Sequence, residues 1–169
     1  METNQITLRS FRPEDQAQML EILTSNLVNQ TYMLPDFEKK EDAIPLFNRL
    51  MNLSNDSSRF VRCIDLDDTA IGFLNDVEIK DGSIELGYVI HPEFHNKGYM
   101  TGALKLTISA LFDLGYKRVV CGAFAQNKAS QRVMEKAGML RISFTEEIEY
   151  RGKTHLCVYF EKRNEEIPC

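Results

Sequence analysis

Residues 5–11 alternate between polar and apolar and read as a first strand, with Ile6 and Leu8 on one face. Pro13 then suits the first turn of a helix and places Glu14 and Asp15 at its positive end. Ala17, Leu20, Leu23, Leu27 and Val28 recur at helical spacing, so this helix is predicted to run to about Asn29. Pro35 interrupts the pattern by pushing its predecessor out of the α region. The link over 31–37 reads as a connector, with a substrate-facing loop that uses Tyr32 or Phe37 as the alternative. A second amphipathic helix carries Ala43, Leu46, Phe47 and Leu50 and ends within 52–55.

Runs rich in β-branched and aromatic residues at 60–66 and 70–79 predict two strands joined through Asp67-Asp68. Lys80-Asp81-Gly82 supplies a hairpin turn into a central strand over 84–90, completing an antiparallel meander. After Gly98 a long helix carries Met100, Leu104, Ile108 and Leu111, with Ala103, Leu106 and Ala110 nearby. So wide an apolar surface predicts a helix laid flat on a sheet. Leu114-Gly115-Tyr116 ends it, and 117–124 returns as a strand that a right-handed crossover makes parallel to the central one. Asn127 can cap a further helix whose apolar side is Ala129, Val133, Met134 and Ala137, and Gly138 fits the left-handed residue past its end. Strands over 139–148 and 154–160 form a closing hairpin, and the charged tail over 161–169 is expected to fray.

Chemistry concentrates where the central strand turns into the long helix. His91-Pro92-Glu93-Phe94-His95-Asn96-Lys97-Gly98 aims unpaired N–H groups and a helix N-terminus at one small volume, which suits a phosphate. Neither the Gly-Lys-Ser/Thr ending of a nucleotide-triphosphate loop nor a three-glycine dinucleotide fingerprint is present. Alone, such a turn is better explained as a plain tight connection. A second run, Asn127-Lys128-Ala129-Ser130-Gln131-Arg132-Val133-Met134-Glu135-Lys136-Ala137-Gly138, changes the picture. In order and separation the two stretches resemble the paired signatures of the GNAT N-acetyltransferase superfamily. The nearest likeness is to its branch of ribosomal-protein-alanine acetyltransferases, which Ile6-Thr7-Leu8-Arg9 followed by Pro13-Glu14-Asp15 also resembles.

The resemblance implies an α/β (α+β) fold: a mixed, mostly antiparallel sheet with splayed fourth and fifth strands, flanked by about four helices. It implies acetyl-CoA as co-substrate. The pantetheine arm would pair with backbone groups of Tyr88, Val89 and Ile90, and Asn127 would hydrogen-bond it. The pyrophosphate would take N–H groups of Asn96, Lys97, Gly98, Tyr99, Met100 and Thr101. The amine enters from the opposite side.

For the base that deprotonates the amine, Glu85 is the first candidate and His91 the second. A carboxylate in a central strand is expensive unless solvated or paired, so Glu85 suggests a wet cleft, with a solvent-side salt bridge as the bland alternative. Alternation puts Glu85 with Gly87 and Val89, whereas a bulge would reverse that parity. A histidine before Pro92 at a strand end is more often structural than catalytic. Many relatives carry a tyrosine where this chain has Met134, which leaves Ser130 as the donor to the leaving thiolate, or simply a residue of the helix cap. His95 and Met100 also depart from the family pattern; His95 either reaches a phosphate or covers the turn.

At 169 residues and 43% hydrophobic, the chain suits one domain, 1–169. A formal charge of −5 argues against a nonspecific nucleic-acid binder. Cys63, Cys121, Cys157 and Cys169 show no metal-ligand spacing, so no metal is expected; the first three read as core and Cys169 as an exposed terminus. No leader-like or membrane-spanning run appears, and reduced thiols point to the cytoplasm. The expected activity is transfer of acetyl to a primary amine by direct attack in a ternary complex, best a protein N-terminal α-amine. Rival readings are a small amine such as a polyamine or aminoglycoside, or a CoA-binding module without turnover. Acidic runs at Asp36-Phe37-Glu38 and Glu146-Glu147 would attract an amine, though solvated charge explains both. The fold also allows a homodimer.

Overall fold

In the computed structural model, which describes residues 5–166, strand β1 (Ile6–Arg9) leads through a 3₁₀ turn at Pro13–Asp15 into helix α1 (Gln16–Leu23). Helix α1 stops well before Asn29. Thr24 leaves the helical region at φ −107°, and its backbone N–H and its hydroxyl both bond the Leu20 carbonyl, at 3.1 and 2.6 Å. The run Thr24-Ser25-Asn26 thus offers the backbone side-chain competition, and a separate 3₁₀ turn follows at Val28–Gln30. Leu27, placed on the apolar side by spacing alone, is exposed.

Helix α2 (Ile44–Ser54) precedes strands β2 (Val61–Leu66), β3 (Thr69–Lys80) and β4 (Ser83–Ile90). Both residues of the linking turns Asp67-Asp68 and Asp81-Gly82 have positive φ, the conformation that matches the twist of adjacent strands. Helix α3 (Tyr99–Asp113), strand β5 (Arg118–Phe124) and helix α4 (Lys128–Lys136) come next, then β6 (Leu140–Tyr150) and β7 (Lys153–Arg163). The expected fraying of 161–169 is corrected in part, because Glu161, Lys162 and Arg163 pair with Val120, Val119 and Arg118 in β5. Cys169 lies outside the described residues.

The seven strands are ordered β1-β2-β3-β4-β5-β7-β6. β4 and β5, joined through α3, are parallel; β1–β2, β2–β3, β5–β7 and β6–β7 are antiparallel. Among the described residues the parallel ladder ends at Leu86–Cys121, whereas β4 runs on to Ile90 and β5 to Phe124.

Two compact units divide the chain: Met1–Asp76 with Tyr88–Ala103, and Val77–Gly87 with Leu104–Cys169. In the first, Phe11, Met19, Ile22, Leu23, Phe47, Phe73 and Val89 are buried together, and Phe11 meets Phe47 and Phe73 edge-on at 5.9 and 6.3 Å. Each such side chain stabilises by roughly 1.5–3 kcal/mol relative to exposure. Arg9 closes one end of this core. Its guanidinium bonds both Asp15 oxygens at 2.8 and 2.9 Å and an Asp65 oxygen at 2.7 Å, tying β1 to the start of α1 and to β2. In the second unit, Val120, Phe124, Cys157 and Tyr159 form a cluster joined by Ile142, Ile148 and Tyr150.

Candidate active site

Within the first unit, the end of β4 is fastened by close backbone approach. His91 N–H donates to the Ile71 carbonyl at 2.7 Å, and a Cβ on Gly72 would lie 2.2 Å from the Val89 oxygen. Only glycine fits there. Pro92–Phe94 then forms a 3₁₀ turn in which His91 Nδ1 accepts from the Glu93 N–H at 3.1 Å while Nε2 faces Glu21 Oε2 at 3.2 Å. Both imidazole nitrogens of His91 are therefore engaged. His95 Nε2 lies 3.1 Å from the Ile90 carbonyl, so its ring covers the turn.

Asn96 and Gly98 both adopt positive φ, 59° and 81°, a backbone shape that turns successive N–H groups towards one side. The first bond into α3 is Gly102 N–H to the Gly98 carbonyl at 3.0 Å. The N–H groups of Tyr99, Met100 and Thr101 precede that bond and have no intrahelical acceptor. A Cβ at Gly98 would meet nothing within 4 Å, so the approach is open. Lys97 Nζ stands 5.5 Å from the Phe94 ring centre, and Phe94 packs against Tyr99 at 6.1 Å. Met100 turns its side chain into the core, which leaves its N–H as its contribution at the helix start. These groups suit a pyrophosphate: open donors, a helix dipole and one mobile cation.

The second unit holds Glu85. Ile84 and Leu86 are buried and Glu85 is half-buried, but the next buried position in β4 is Val89, three residues on rather than two. The phase of burial shifts, so Glu85 does not share a face with Val89 as strict alternation expects. Instead Glu85 lines a groove of about 330 Å³ with Glu78, Arg118, Val120, Glu146 and Tyr159. Burial first, then the charges of Glu146 and Glu78, push the Glu85 carboxyl above its ordinary pKa. Tyr159 donates from its hydroxyl to Glu146, and its own ionisation is pushed up by burial, that bond and Glu85.

Asn127 caps α4, its Oδ1 accepting from the Ser130 N–H at 3.2 Å. Gln131 was not singled out from the sequence, yet its buried amide donates to the carbonyls of Ala125 and Asn127 at 3.0 and 3.3 Å and so fixes the turn between β5 and α4. Met134 is fully buried. Tyr159 and Gly72 also escaped notice, because their importance lies in non-local approach. Cys63, Cys121 and Cys157 are buried free thiols, each pushed by burial above the ordinary thiol pKa. Among the described residues no cluster of His, Cys, Asp and Glu could hold a metal ion, and no helix is long and apolar enough to cross a membrane.

Residues 5–140 match the acetyltransferase (GNAT) domain family. The uncharacterized N-acetyltransferase YoaA of Bacillus subtilis (strain 168) is 26% identical over 160 residues, covering 91% of this chain and 90% of that protein. RimL, a ribosomal L7/L12 α-N-protein acetyltransferase solved with coenzyme A, superposes with a TM-score of 0.83 at 17% identity, covering 95% of each chain. Spermidine N-acetyltransferase from Vibrio cholerae, solved with CoA and spermine, gives 0.78 at 17% identity over 94% of this chain and 95% of that one. At such identities the two structures speak for the fold. The family match spans most of the chain, which therefore belongs to the GNAT acetyltransferases and uses acetyl-CoA as its acetyl donor.

Proposed function

We propose that the protein acetylates a primary amine, in the first instance a protein N-terminal α-amine, by direct attack in a ternary complex with Glu85 as base. The observation that carries this reading is the Glu85 carboxylate, half-buried in a groove and raised in proton affinity. A raised proton affinity suits a carboxylate that accepts a proton from the amine.

Acetyl-CoA supplies the acyl group as an activated thioester. The N–H groups from Asn96 to Thr101, with Lys97, hold the pyrophosphate, and the backbone of Tyr88, Val89 and Ile90 carries the pantetheine arm. Asn127 Oδ1 is committed to its helix cap, so a hydrogen bond from Asn127 to the arm would come from its amide NH₂. Glu85 takes one proton from the acceptor's ammonium, directly or through water. The freed nitrogen pair then forms the C–N bond as the C–S bond breaks; the nitrogen gives up its second proton, which the Ser130 hydroxyl relays to the departing sulfur, leaving the amide and the CoA thiol. Backbone N–H groups near Val89 stabilise the charge that develops on the carbonyl oxygen. Much of the barrier is lowered by holding the two reactants in place.

Direct attack is favoured over an acyl-enzyme because burial keeps all three described cysteines protonated and poorly nucleophilic. The likeness to RimL supports an α-amine acceptor. The carboxylates of Glu78, Glu85 and Glu146 in one groove favour a small polycationic amine as the second reading, in line with the spermidine enzyme. Free thiols suit action in the reducing cytoplasm. Initial rates measured while acetyl-CoA and amine are both varied test the mechanism. Intersecting double-reciprocal lines are expected, and parallel lines would overturn direct attack.

A further inference from the structure

The groove of the second unit brings together charges from four strands and a hydroxyl from a fifth: Glu78 and Lys80 of β3, Glu85 of β4, Arg118 of β5 and Glu146 of β6, with Tyr159 of β7. Two of its carboxylates stand in different circumstances. Glu146 is exposed, and the bond that fixes it comes from the Tyr159 hydroxyl. Glu85 makes no side-chain hydrogen bond or ion pair among the described residues, and Glu146 is the charge that bears on it most, ahead of Glu78.

Packing sets the tyrosine. Its ring lies over Gly122 so closely that a Cβ there would sit 2.6 Å from the ring's Cε1, and Phe144 meets it at 5.2 Å. The hydroxyl, and with it Glu146, is thereby placed by the sheet and not by chance rotamers. Arg118 is occupied by Glu161, and Cys157 beside the two carboxylates stays a neutral thiol. Lys80 and Glu78 are exposed at the groove's margin.

We propose that Glu146, held by the Tyr159 hydroxyl, is a positioning residue for acetyl transfer: its fixed negative charge makes Glu85 the carboxylate that takes the acceptor's proton. Two neighbouring acids whose surroundings differ take different roles, one fixed in place and the other left to exchange the proton. The inference rests on Glu85 being the base.

Carboxyl-carbon NMR of the full-length protein reads the Glu85 titration directly, without any acceptor. In Glu146→Gln the Glu85 midpoint should move to lower pH. In Tyr159→Phe, which keeps the ring over Gly122, it should move the same way by less. A Glu85 midpoint unchanged in Glu146→Gln would overturn the role of Glu146. The pH profile of acetyl transfer, run with whichever of spermidine or an alanine-initiated peptide reacts faster, separates this failure from that of the base. An acid limb that follows the NMR midpoint across the variants supports both statements. An acid limb that stays fixed while the midpoint moves would overturn Glu85 as base, and the proposal with it. If Glu85→Gln abolishes the limb but Glu146→Gln leaves limb and midpoint alone, only the role of Glu146 falls.

Discussion

Gly98 has positive φ, a Cβ there would meet nothing within 4 Å, and its own N–H is one of the donors proposed for the pyrophosphate. Gly98→Pro removes that donor and forces φ to about −65°. Losing one bond to a charged phosphate and distorting its neighbours should weaken acetyl-CoA binding by about tenfold or more. Calorimetric titration checks this, and unchanged affinity would remove the pyrophosphate from the loop. Glu85 offers a second test at this scale. Its folded-state pKa is raised, so ionisation opposes folding: the cost is absent below the ordinary carboxylate range and grows as pH rises through the Glu85 value. Glu85→Gln should therefore melt higher than the parent protein near pH 7, with the gap closing towards about pH 4. A gap independent of pH would contradict the raised proton affinity. The turn at Gly98 was legible in the sequence because its geometry is local, a glycine opening a helix after a strand. The setting of Glu85 was not, since Glu146 and Tyr159 reach it from strands far along the chain.

Among the elements, turns and caps followed from sequence most directly. Asp81-Gly82, the Asn127 cap and Gly138 past α4 all do what their local chemistry predicts. Helix α1 shows the limit: apolar spacing carried on to Val28, but Thr24 bonding back to Leu20 ended the helix first. The phase of β4 was open for a similar reason, because alternation cannot say where a strand shifts its buried face. Arg9 illustrates what joins elements together. Side-chain bonding to Asp15 holds the guanidinium charged despite burial, and Asp15, though burial pushes its carboxyl up, is kept below its ordinary pKa by Arg9. Arg9→Met leaves Asp15 and Asp65 without their cation, and breaking a buried pair on one side costs about 3–5 kcal/mol. Urea unfolding should show such a loss at pH 7 and a smaller one in acid, as Asp15 becomes protonated. A change under about 1 kcal/mol at pH 7 would place the network among ordinary surface pairs.

For the molecule as a whole, the meander into β4, the parallel β4–β5 pair reached through α3 and the acetyltransferase family were legible in two short stretches and the pattern between them, whereas the insertion of β7 between β5 and β6 was not. The acceptor was not, because its recognition depends on side chains that strands bring together from separate parts of the chain. The proposal that joins these facts is acetyl transfer to a primary amine. Its most direct test is release of free CoA thiol from acetyl-CoA in the presence of peptide N-termini, polyamines and aminoglycosides, measured against the rate without acceptor. Release well above that rate with one class of amine is the predicted result. No release with any of them, while calorimetry shows acetyl-CoA bound, would contradict it.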